Sequence, residues 1–88
     1  MTIDPKRLDL ETAVLLLVGK ACERALAKEK NRAKGCDVPD LTGCLRMVRD
    51  EVAEAWLAES TEDVIDELGD IIASSGIALW RAHGGGGE

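Results

Sequence analysis

The sequence has almost no aromatic residues: two tryptophans and no phenylalanine or tyrosine among 88 residues. Apolar residues are still 45% of the chain. Bulk must therefore come from Ala, Leu, Val and Ile packed on helices. Histidine is also scarce, with one copy, and the three cysteines (Cys22, Cys36 and Cys44) form no CxxC pair. That argues against a structural zinc site, and reduced thiols in a cytoplasmic protein are the simplest expectation. The only glycine run, 84–87, is terminal, so no internal glycine-rich loop is available to cradle a phosphate. The sequence contains no GxSxG and no HExxH. The ExxH pair of carboxylate-bridged di-iron bundles is missing too. The apolar run 13–18 is too short to span a bilayer, and the charged first residues form no signal-peptide core. No membrane partner is expected.

Basic charge is in deficit as well. Eleven Lys and Arg face seventeen Asp and Glu, a net charge of −6. Such a balance argues against a nucleic-acid polymer as partner, because that binding needs clustered cations to displace counterions. A nucleotide remains compatible, since a bound cation can invert the local field.

What is present reads as an all-α, three-helix chain forming an antiparallel bundle completed by oligomerisation. Residues 1–82 make a single domain and 83–88 a flexible Gly-rich tail. Helix 1 is expected from Asp4 and Pro5 to about Lys34, with Gly35 as its stop. Its segment 13–18 is apolar all round, which predicts burial on more than one side, either against another subunit or as a central core helix. Asp40 caps helix 2, about 41–58. Ser60, Thr61, Glu62 and Asp63 resemble a capping box for helix 3, about 62–82. The short turn between helices 2 and 3 makes them antiparallel neighbours. An apolar set this light suggests association into a homo-oligomer.

Residues 50–72 carry the chemistry. They hold two acidic pairs, Glu51/Glu54 and Glu67/Asp70. Residues three apart share a helix face. The helix 2 stripe of Leu41, Cys44, Leu45, Val48, Val52, Ala55 and Trp56 has Glu51 at its edge and Glu54 just beyond. The helix 3 stripe of Val64, Ile65, Leu68, Ile71, Ile72, Ser75 and Leu79 has Glu67 at its edge and Asp70 just past it. Four carboxylates can thus meet in one crevice. Hard oxygen ligands suit Mg²⁺ or Mn²⁺, and magnesium commonly binds through few carboxylates plus substrate phosphates. The plain alternative is a solvated acidic face in an acidic helical chain. Trp56 is expected in the core, and Trp80 at an interface or as a platform for a base. Lys30, Arg32 and Lys34 can reach triphosphate oxygens or simply form a solvated helix end.

Glu51-x-x-Glu54, twelve residues, then Glu67-x-x-Asp70, within the strings RDEVAEAW and EDVIDELGDII, resembles the motif of the all-α nucleoside triphosphate pyrophosphohydrolases, the MazG-like group. The resemblance covers about residues 41–79. It implies a helical, dimeric or tetrameric hydrolase that converts an NTP or dNTP and water to the monophosphate and pyrophosphate. It also implies Mg²⁺ held by Glu51, Glu54, Glu67 and Asp70. One glutamate, such as Glu54, would orient or deprotonate the attacking water. The competing expectation is a non-catalytic oligomerisation or interaction module of the same fold.

Overall fold

A computed structural model describes residues 4–28 and 40–85. Among these residues the regular structure is entirely helical: a 3₁₀ turn, Pro5–Arg7, then α1 (Leu10–Leu26), α2 (Leu41–Trp56) and α3 (Thr61–Ala82).

Local capping chemistry sets the boundaries. Asp4 closes only the 3₁₀ turn, its carbonyl accepting from Arg7 N at 3.0 Å. Asp9 then takes an extended conformation, and its carboxylate accepts from Thr12 N, so α1 begins at Leu10 and not at Asp4. The helix also ends earlier than its pattern suggests, at Leu26, with Ala27 as its cap. The expected stop at Gly35 lies outside the described residues. Asp40 caps α2 as its sequence indicates, Oδ1 accepting from Gly43 N at 2.7 Å. Ser60 Oγ accepts from Asp63 N at 3.1 Å and starts α3. Each cap satisfies an amide that the first helical turn leaves without a partner.

At its other end α3 closes in a Schellman motif, with Gly85 N donating to Trp80 O at 2.8 Å and Gly84 N donating to Arg81 O at 3.0 Å. Gly84 sits at φ +88°, in the left-handed region that the motif requires and glycine tolerates best. A Cβ on Gly85 would run into the Trp80 indole. Residues 83–85 therefore belong to the helix end and not to a free tail.

The longest helix, α3, is the central element, with α1 and α2 each packed chiefly on it. Val52 and Trp56, late in α2, share a groove with Leu68 and Ile71, early in α3. Leu41 and Leu45 share one with Leu79 and Ala82. These helices are thus antiparallel. Likewise Lys28, just beyond α1, reaches Asp66 near the start of α3.

The seams are built from small residues. Gly69 is buried against Ala21 and Ala25 of α1, and a Cβ on it would lie 3.6 Å from the Ala21 carbonyl oxygen; Ala25 and Ala73 are buried too. The rest of the core is Cys44, Ile77 and Ala78 with Leu26 against them. Cys22 and Cys44 are free thiols. No helix among the described residues is long and apolar enough to cross a membrane.

Two features of the pattern are reversed. The α3 stripe of Ile65, Leu68 and Leu79 faces outward, whereas Gly69, Asp70, Ala73, Ser74, Ile77 and Ala78 face inward. Trp56, expected in the core, is 84% exposed. Val14, Leu15, Leu17 and Val18 of α1 are exposed as well, which removes the central-core-helix reading of residues 13–18.

Candidate metal centre

The antiparallel packing of α2 on α3 brings the two acidic pairs to one level of the bundle. Glu51 turns into the seam and is only 4% exposed. One turn on, Glu54 stays exposed at the rim. From α3, Glu67 is half-buried, and Asp70 is buried completely, at 0% exposure. With Gly69 and Ala73 on the buried side, the neighbouring positions Glu67 and Asp70 are drawn inside with them.

The four acids do not make one fourfold cluster. Carboxylate oxygens of Glu51, Glu54 and Glu67 lie within 4.8 Å of one another, and so do those of Asp66, Glu67 and Asp70. Glu67 is common to both triplets. Its Oε2 is buried, with no hydrogen-bond partner. An ionised oxygen in that position is costly unless a cation or donor reaches it. The first triplet supplies three oxygen ligands and a solvent-facing edge at Glu54, which suits a hard divalent ion that keeps some of its water.

The second triplet already holds a cation from the protein itself. Lys28 Nζ donates to Asp66 Oδ1 at 2.9 Å and to Asp70 Oδ1 at 3.0 Å. The Asp66 hydrogen bond, foremost, and the bond and charge of Asp70 push the Lys28 ammonium above its ordinary range, against the opposing effect of partial burial. Sequence reasoning missed both Lys28 and Asp66 as members of this cluster. Asp66 carried a usable signal, since it lies four residues before Asp70 on the same helix. The partnership with Lys28 had none, being 38 residues apart for Asp66 and 42 for Asp70.

Lys30, Arg32 and Lys34 lie outside the described residues. Trp80 is half exposed and lies beneath the Arg81 guanidinium, 5.2 Å from the ring centroid. No protein-family model, curated protein or solved structure matches the chain.

Proposed function

We propose that the chain is a Mg²⁺-dependent nucleoside triphosphate pyrophosphohydrolase, acting as a homodimer or homotetramer. One observation carries the reading: Glu51, Glu54 and Glu67 bring their carboxylate oxygens within 4.8 Å of one another, around a buried Glu67 oxygen with no hydrogen-bond donor. The sequence resemblance to the MazG-like group supports it from a second direction, through the two acidic pairs and DELGDII.

In this reading Glu51, Glu54 and Glu67 hold the ion, and Asp70 supports it from the adjoining triplet. The bound ion supplies electrostatic stabilisation of the triphosphate and acidifies a coordinated water. Glu54 is the exposed member, so it is the carboxylate that incoming water and nucleotide meet first. Its role is to orient the water and accept its proton. The water oxygen bonds to the α-phosphorus, the bond from that phosphorus to the α–β bridging oxygen breaks, and pyrophosphate leaves with the bridging oxygen.

The test is pyrophosphate release from a panel of NTPs and dNTPs with Mg²⁺. Wild type should release it from at least one nucleotide, and Glu51→Ala and Glu67→Gln should not. Release that survives both substitutions would exclude the proposed chemistry.

A second reading is a non-catalytic interaction module, and the large outward apolar face of α3 favours it. Melting curves separate the two. An ion that binds only the folded state raises its stability by about 2.7 kcal/mol at a hundred times its Kd. Mg²⁺ or Mn²⁺ should raise the melting temperature of wild type and not of Glu67→Gln. No shift and no pyrophosphate would leave the module.

A further inference from the structure

We propose that Lys28 stands in the place of a second divalent ion, so that the carboxylate centre takes one Mg²⁺ or Mn²⁺ together with a cation of the protein's own. The first ion rests on the function proposed above, and the exclusion of a second rests on Lys28.

The two triplets match in their donors and differ in occupancy. Each offers three carboxylate oxygens within 4.8 Å of one another, and Glu67 belongs to both. Ligand sets joined in this way suit a pair of ions about 3.5–4 Å apart. In the second set the position is taken. Lys28 Nζ lies 2.9 Å from Asp66 Oδ1 and 3.0 Å from Asp70 Oδ1. A Mg²⁺ ligated by those two oxygens would stand about 2.0–2.1 Å from each, inside the space the ammonium fills. Lysine and ion therefore exclude each other.

Lys28 also divides the cluster. It donates to Asp66 and to the fully buried Asp70, whereas Glu67 Oε2 stays buried with no hydrogen-bond partner. That oxygen is left to the first set, with Glu51 and Glu54. The consequence is a division of labour. A divalent ion ligates phosphate and acidifies a bound water. An ammonium does neither: it adds one positive charge and three hydrogen bonds at most, two of which go to Asp66 and Asp70. Activation of water then falls to the first ion alone. Lys28 is a positioning residue that holds Asp66 and Asp70 away from metal.

Counting Mn²⁺ on the full chain tests this, by isothermal titration calorimetry and by electron paramagnetic resonance of the free ion. Circular dichroism on the same samples reports folding. Wild type should bind one ion per chain, Lys28→Met two, and Lys28→Arg, which keeps the charge, one. Should Lys28→Met lose its helicity, Lys28→Gln replaces it. Two ions in wild type overturn the proposal. One ion in both wild type and a folded Lys28→Met overturn it too, leaving Lys28 a plain ion pair between α1 and α3. Two ions in Lys28→Arg do the same, because the charge would not then be what excludes the metal. A wild type that binds no ion overturns the hydrolase reading instead. Lys28→Met still decides the second position in that case, one ion supporting the exclusion and none overturning it. Pyrophosphate release does not enter the count, so a chain that binds one ion and hydrolyses nothing loses only the hydrolase.

Discussion

Leu68 and Gly69 are neighbours in the sequence and opposites in the fold. Gly69 lies in the seam between α1 and α3, where only small side chains fit. Leu68 stands outside on the apolar ridge. The contrast holds through the middle of α3: its inner face there is Gly69, Asp70, Ala73 and Ser74, small and partly charged, before the inward Ile77, and its outer face carries Ile65, Leu68 and Leu79. In an ordinary soluble helix the large apolar residues turn inward and the charges outward. The inversion teaches that the two faces serve different contacts. The inner one sets helix spacing and places the carboxylates. The outer one leaves Ile65, Leu68 and Leu79 exposed among the described residues.

The largest expected effect comes from forcing the inner face to behave like the outer. Gly69→Leu puts a branched side chain against the Ala21 carbonyl and the Ala25 methyl, which lie 3.6 and 4.0 Å from the position of a Cβ. Overpacking of this kind costs about 3 kcal/mol, or roughly 12–24 °C in Tm for a domain of this size. Thermal melts by circular dichroism check it. Leu68→Lys, one residue away, should leave the fold standing, so comparable losses from the two would erase the distinction between the faces.

Next in size is the ion pair that stitches α1 to the inner face. Lys28→Met removes the ammonium from Asp66 and from the fully buried Asp70. The expected cost is about 2 kcal/mol, since a buried carboxylate loses a charged donor. Lys28→Arg should recover part of it, because a guanidinium keeps the charge but is a bulkier planar fork in place of a compact point donor. Urea titrations at neutral pH measure both. A Lys28→Met protein as stable as wild type would show that the pair does not help hold the seam together.

Breaking the hairpin's start is a smaller perturbation. Ser60→Ala deletes the hydroxyl that accepts from Asp63 N, at a cost of about 1 kcal/mol in the same urea titrations. Because Ser60 belongs to neither face of α3, this loss should be independent of Lys28→Met and add to it. A coupled result would mean that the cap and the ion pair position the same segment.

How much of this was legible in the sequence follows from the same contrast. The caps at Asp40 and Ser60 were readable because capping is local chemistry between residues three apart. So was the burial of Glu51, from its place at the edge of a stripe. The orientation of α3 was not. Periodicity reports that Ile65, Leu68, Ile72 and Leu79 share a face, and not which surface meets that face. Gly69, Ala73 and Ser74 carry little hydropathy, yet their small size allows the close helix approach that decides the inner side. Trp56 was misplaced for the same reason, since it was assigned to a stripe that faces outward. The start of α1 was misjudged because Asp4 and Asp9 can both cap, and local sequence does not rank a 3₁₀ turn against a helix.

The smallest effect tests that last choice. Asp9 is exposed, and its carboxyl is held below its ordinary value of 3.8, first by the Thr12 amide and then by the Thr12 hydroxyl. A carboxyl with a lowered folded-state pKa contributes stability that is fully present above its ordinary value and is lost as pH falls through the folded value. Asn at this position still caps but does not titrate. Asp9→Asn should therefore differ little from wild type in how it responds to alkali, and should lose less stability on going from pH 5 to pH 2. Paired melts across that interval read the difference, in which the titration of the other acids cancels. If Asp9→Asn lost as much stability as wild type across that interval, the Thr12 contacts would not be what starts α1, and the α1 side of the inner seam would have to be redrawn from its first turn.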